Sequence, residues 1–176
     1  EFLEDVTLAD TIGGWISHIF EYITGALKDV TFEVYALEDI QAADGESEDY
    51  YKKDELIATI TTDETGIAKL SDLPLGKYYV KEKETAEGYV LDGEIREIDL
   101  SYVDQDTVEV TWSGDWQNNR QKAEVSVLKK EKDTDRVLEG AVFALSAKED
   151  ITNKDGDVIL EAGTVIEEKA TGEDGK

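Results

Sequence analysis

Asn153, Asp155 and Asp157 alternate in the manner of calcium-loop ligands, and they are one place in this sequence where residue type and spacing could do chemistry. Val158 stands where such a loop needs the glycine of its sharp turn, so the triplet reads as a charged surface loop. The other acidic stretches, 46–54 and 104–106, read the same way. His18 is the single histidine and there is no cysteine. That removes a thiol nucleophile and a thiolate metal site, and leaves a Ser–His–Asp triad little to work with. A lone histidine with no ligand-type neighbour reads as a packed or surface residue. Trp112, Trp116, Tyr78 and Tyr79 could line a carbohydrate platform, although aromatic residues on strands more often belong to a core. No glycine-rich strand-to-helix loop offers a phosphate cradle. The expectation is no enzyme, no metal and no cofactor.

The chain that must position these residues is 176 residues long, 40% hydrophobic and 35% charged, with a net charge of −25. The apolar content is enough for a core, so this is not a disordered acidic tail. The charge sets it against nucleic acid and anionic membrane surfaces as partners. No apolar run reaches the roughly 18–20 residues of a transmembrane helix, and no signal-peptide pattern is present.

An internal repeat organises the chain. Residues 30–45, VTFEVYALEDIQAADG, answer residues 141–156, AVFALSAKEDITNKDG, at an offset of 111, and 58–70 answer 167–176 at 109. Both copies read as β structure. Residues 30–37 and 77–83 alternate, the latter with Tyr78, Val80 and Glu82 on one face and Tyr79, Lys81 and Lys83 on the other. Residues 108–112 and 125–129 alternate as well, the second placing Lys129 inward and Lys130 in solvent. Turn signals at Gly45, Gly66, Gly76, Gly88 and Gly93 separate the runs, which predicts an antiparallel Greek-key β-sandwich. The expected organisation is an N-terminal segment, 1–29, that can supply a first strand; a first module, 30–122; and a second, truncated module, 123–176. Residues 12–23 read two ways. Ile12, Trp15, Ile16, Ile19, Phe20 and Ile23 make a helical stripe with Thr11 as cap and Gly25 as stop, while Ile16, His18, Phe20 and Tyr22 alternate as in a strand.

Three segments together resemble a known family. Within 129–145, Lys129, Glu131, Thr134, Arg136, Leu138, Gly140, Ala141 and Phe143 follow the opening pattern Lys-x-Asp-x-x-Thr-Gly-Lys-Pro-Leu-x-Gly-Ala-x-Phe, with Asp135 in place of Gly and Val137 in place of Pro. Residues 70–92, LSDLPLGKYYVKEKETAEGYVLD, are similar to the central signature Leu-Pro-x-Gly-x-Tyr-x-Val-x-Glu, with Ala86 in place of a later Pro. Residues 116–122, WQNNRQK, are similar to the closing strand. The pattern is that of collagen-adhesin B-type repeats, the SpaA-like, prealbumin-like modules of Gram-positive cell-wall-anchored surface proteins and pilins.

Many such modules form an internal isopeptide bond between a first-strand lysine and a last-strand asparagine, assisted by an acid. Burial lowers an amine's pKa and raises a carboxyl's, and a rigid sandwich supplies the attack geometry. The resemblance implies Glu82 as the assisting acid and Asn118 as the accepting amide of the first module, and Lys129 as the nucleophile of the second. It departs where the first module needs its lysine, since His18 and Ile19 occupy the aligned positions. No complete triad is expected, and therefore no internal isopeptide bond. What the resemblance implies is an extracellular, wall-anchored stalk module that projects a binding domain. Its partners would be neighbouring repeats, with host matrix protein met through another domain and no direct membrane contact. The alternative is a module that itself contacts collagen, another matrix protein or glycan.

Overall fold

The computed structural model describes residues 1–10 and 14–176, and it contains no helix among them. The strands are β1 (Phe2–Asp10), β2 (Ile16–Ile23), β3 (Thr31–Ala36), β4 (Leu56–Thr61), β5 (Gly76–Glu84), β6 (Ile95–Leu100), β7 (Val142–Ser146), β8 (Ile151–Thr152), β9 (Val158–Leu160) and β10 (Val165–Ala170). All their pairings are antiparallel. They fall into two compact units, Ala26–Gln121 and Glu1–Gly25 with Lys122–Lys176. Residues 1–25 thus group with the C-terminal residues, where the sequence had suggested a first strand for the module beginning at residue 30.

In the unit Ala26–Gln121 the sheet order is β4-β3-β5-β6. Phe32 lies opposite Ile60 on one side and Glu82 on the other, and Val34 opposite Ala58 and Val80. Alternation does the sorting. Val30, Phe32, Val34, Ala36, Tyr78 and Val80 form the buried face, closed over by Leu27, Leu70, Leu73 and Trp116 from less regular segments. The opposite face carries Tyr35 stacked on Tyr79, centroids 5.0 Å apart at 6°. Beside them Glu33 accepts the Tyr35 hydroxyl at 2.5 Å and pairs with Lys83 at 3.0 Å and Lys81 at 3.4 Å. These donors, Tyr35 foremost and then Lys83, hold the Glu33 carboxyl down at about 2.

The second unit holds the sheet β1-β2-β10-β7 and the small pair β8-β9. Residues 16–23 are a strand and not a helix. Eight positions of β2 pair with β1, satisfying the backbone that a short isolated helix would satisfy only marginally in water. Thr11, Ile12 and Gly13, the cap and start of the helical reading, lie outside the described residues.

The repeat is visible bond by bond. The Thr62 hydroxyl donates to the Leu27 carbonyl at 2.8 Å and accepts the Val30 N–H at 2.9 Å. The Thr171 hydroxyl donates to Leu138 at 2.7 Å and accepts from Ala141 at 3.0 Å. Backbone bonds Asp29 N–H to Thr62 O and Thr62 N–H to Val30 O are matched by Gly140 to Thr171 and Thr171 to Ala141, all within 2.8–3.0 Å. Asp29 (φ 62°) takes the left-handed place of Gly140 (φ 75°).

Two expected strands do not form. Residues 108–112 pair with no strand among the described residues, and Val108 is fully exposed. Residues 123–129 have no ladder along their length. β propensity without a partner strand does not make a strand.

Candidate functional site

Glu82 sits on β5 on the face of Tyr78 and Val80 and is 4% exposed. Asn118 belongs to the irregular run 116–121. A bridge between Tyr89 and Arg120, the bond from Val90 N–H to Asn119 O (2.8 Å) and that from Gln121 N–H to Gly88 O (2.8 Å) tie this run down. Trp116 anchors it further, edge-on to Phe32 at 5.0 Å and covered by the Arg96 guanidinium at 3.8 Å. Arg96 also donates to the Asp115 carbonyl and pairs with Asp92 at 3.5 Å.

These anchors bring Asn118 and Glu82 together. The Asn118 amide nitrogen lies 2.8 Å from Glu82 Oε1, 2.9 Å from Oε2 and 3.1 Å from the Val90 carbonyl. Glu82 Oε2 also accepts the Asp92 N–H at 2.6 Å. The carboxylate is thereby satisfied inside the core, as a buried acid must be. An acid that activates an amide must polarise its carbonyl oxygen, whereas here the nitrogen end faces Glu82. The arrangement is a polar tie between β5 and the 116–121 run.

No lysine is hydrogen-bonded or ion-paired to Glu82 among the described residues. His18 lies in the other unit, its Nδ1 3.0 Å from the Ile166 carbonyl. Ile19 lies opposite Thr7 in the β1–β2 pair. Lys28 is exposed and bound to Glu64 at 3.1 Å, and that bond raises its pKa and keeps it charged. Lys129 is exposed, with Val125 and Val127 at 70% and 41%, so the expected inward alternation does not hold. Without a paired strand, 123–129 has no inner face.

The remaining candidates separate. Tyr78 is fully buried, donates its hydroxyl to the Pro74 carbonyl, and is pushed up to about 12 by burial. Tyr79 is on the opposite sheet face, Trp116 packs into the core, and Trp112 is 40% exposed, so they form no common platform. Asn153 Oδ1 is taken up by the N–H groups of Asp155 and Asp157, both at 3.0 Å. Sequence reasoning did not single out the Thr62 and Thr171 hydroxyls, the Arg96–Trp116 stack or the backbone donor of Asp92. The threonines carried a usable signal, since the 109-residue offset aligns one with the other.

The family model SpaA, a prealbumin-like fold domain, matches residues 21–116. The chain belongs to this family. The SpaA match begins within β2 and includes Glu82, and it ends two positions before Asn118. No curated protein and no solved structure matches the chain. The all-β, antiparallel architecture agrees with the prealbumin-like sandwich of the SpaA family.

Proposed function

We propose that this SpaA-family chain is a structural stalk segment of a bacterial cell-surface adhesin or pilin, carried outside the cell on the wall, that spaces a binding domain from its anchor. The observation that carries this reading is the threonine clamp repeated at Thr62 and Thr171, with the same four bonds in each copy. Tandem copies of one self-closing β unit add length in near-equal steps. Within the first copy, Glu82 and Asn118 act as a structural tie, and the chain performs no catalysis. Family membership and the absence, among the described residues, of a lysine bonded to Glu82 both support that role.

Two measurements test the reading. Pulling the chain by its ends in a force spectrometer should give discrete, reversible extension steps. A featureless, low-force extension would overturn the stalk role. Immobilised collagen, other matrix proteins and a glycan panel should show no saturable binding to the chain. Saturable binding that is lost on substituting exposed side chains would favour a ligand-contacting module instead.

A further inference from the structure

β1 ends the sheet β1-β2-β10-β7, so one side of its backbone faces no strand among the described residues. Sheets guard such an edge with lysine, proline, a bulge or shortness. β1 is nine residues long and has no lysine, arginine or proline, and its one guard is the register shift between Leu3 and Asp5. Beyond that shift, residues 5–10 pair regularly with 16–21. Val6 and Leu8 share a face with Phe20 and His18, and Leu8 is 64% exposed. At the shifted end Asp5 lies opposite Glu21, a like-charge pair that weakens a ladder, and Glu4 stands next to Asp5. Lys154 feels the charge of Glu4 but is bound at 2.9 Å to both carboxylate oxygens of Asp155. The edge thus offers backbone groups, a short apolar face and an excess of negative charge.

The same unit holds a segment of opposite character. Residues 122–130, KAEVSVLKK, set Lys122, Lys129 and Lys130 against Glu124 alone, have the alternation of a strand, and form no ladder over 123–129. Val125, Val127 and Leu128 are exposed. One antiparallel register sets Val127 opposite Val6 and Val125 opposite Leu8. It also brings Ser126 opposite Thr7 and Lys129 opposite Glu4, and it leaves Glu124 opposite Ala9, clear of the acidic end. A shift of two residues would set either Lys129 on Val6 or Val127 on Glu4, and a shift of one would turn the valines to the other face. A parallel ladder that paired the same face would place Glu124 on Asp5. Charge and apolar pattern therefore agree on a single alignment.

We propose that the free edge of β1 binds residues 123–128 of a second copy of this chain as an added antiparallel strand. Strand addition gives main-chain hydrogen bonds to two backbones that have no strand partner, and the alternate side chains fix which segment fits. Charge selects the occupant: a chain of net −25 repels most of its own surface, and 122–130 is a local stretch with more lysine than acid. Within one chain the edge and the segment share a unit and stay unpaired, so the occupant comes from another copy. The inference is independent of the stalk reading, because it concerns how copies associate and not what they carry.

The chain contains no cysteine, so introduced thiols report on this contact directly. A Thr7→Cys chain mixed with a Ser126→Cys chain should, under mild oxidation, form the mixed disulfide several-fold faster than Thr7→Cys mixed with Lys122→Cys, which lies out of register. Equal rates would refute the pairing. With both Thr7→Cys and Ser126→Cys in one chain, an internal disulfide that closes at a rate independent of concentration would show that the chain's own segment is the occupant, and the second-copy proposal fails. Analytical ultracentrifugation gives the second arm. Self-association should weaken several-fold in Glu4→Lys and in Lys129→Glu, and an equimolar mixture of the two variants should recover it, since each then presents the charge the other lacks. A parent chain that sediments as a monomer at every concentration, or a mixture that recovers nothing, overturns the proposal.

Discussion

Asn118 turns its amide nitrogen onto both carboxylate oxygens of Glu82, at 2.8 and 2.9 Å, across 36 positions of sequence. The contact lies between a central strand and a run with little regular structure of its own. Its loss is therefore felt twice, as a buried carboxylate left with the Asp92 N–H but without its Asn118 donor, and as a loosened segment. Asn118→Ala should lower the stability of this unit by about 1.5–3 kcal/mol, the usual worth of a hydrogen bond to a charged group. Urea denaturation followed by tryptophan fluorescence measures it. Glu82→Gln keeps the shape but sets an amide NH2 where a carboxylate oxygen now accepts from Asn118 or Asp92, so it should cost at least as much as Asn118→Ala; a near-neutral Glu82→Gln would contradict a tie built on a charged acceptor.

The threonine clamps are separable. Thr62→Val removes a donor to Leu27 O and an acceptor for Val30 N–H while keeping the side-chain volume, and should cost about 1–3 kcal/mol. Thr62→Ser should recover most of that. Thr171→Val should lower hydrogen-exchange protection at Ala141 and leave protection at Val30 unchanged.

Equivalent strands should exchange unequally. β3 pairs with β4 and β5, whereas β7 pairs with β10 alone among the described residues. Phe32 and Val34 are 7% and 3% exposed, and their counterparts Phe143 and Leu145 are 37% and 45%. Amide hydrogen exchange should accordingly be faster across Val142–Ser146 than across Thr31–Ala36. Equal protection would show that burial is not what separates the two repeats.

Acid should weaken the outer face of the first sheet. The Glu33 carboxyl is held at about 2 in the fold, against an ordinary 4.5, by the Tyr35 hydroxyl and then by Lys83. A depressed carboxylate contributes stability that is complete above its unfolded pKa. The contribution is lost as pH falls from about 4.5 toward about 2. Stability measured across that window should fall less steeply in Glu33→Gln than in the parent chain. Identical slopes would mean the cluster adds nothing.

The mass of the intact chain should equal that of its sequence. Glu82 and Asn118 meet, and no lysine is bonded to Glu82 among the described residues. A species lighter by one ammonia, yielding a branched peptide on digestion, would show that an amine does reach Asn118.

The strands most legible in the sequence are those with clean alternation. Tyr78, Val80 and Glu82 against Tyr79, Lys81 and Lys83 placed β5 and favoured a buried Glu82 over a solvated one, because period two assigns each residue a face. β1 was not legible. Its pairing shifts register between Leu3 and Asp5, and such an irregularity scrambles the alternation that would have marked the strand. That omission left residues 16–23 open between helix and strand, since the partner that decides the matter was missing. Residues 108–112 misled in the opposite direction: Val108, Val110 and Trp112 have strand-like types and spacing but no paired strand among the described residues. The repeat offset aligns the clamp threonines, but their role was hidden for another reason. Their hydroxyls bind backbone, and backbone partners leave no trace in side-chain patterning.

Each threonine clamp also sets a timetable. Thr62 closes on Leu27 over 35 positions and Thr171 on Leu138 over 33. The entropic cost of closing a loop grows only with the logarithm of its length, so the two closures differ by less than about 0.1 kcal/mol. A chain emerging from the ribosome N-terminus first can fasten the first knot before the residues of the second are made. Early local closure of this kind keeps near-identical segments of successive repeats from pairing with the wrong copy, a characteristic failure of repeat proteins. The same threonine that joins two ends of one unit thereby helps to keep two units apart.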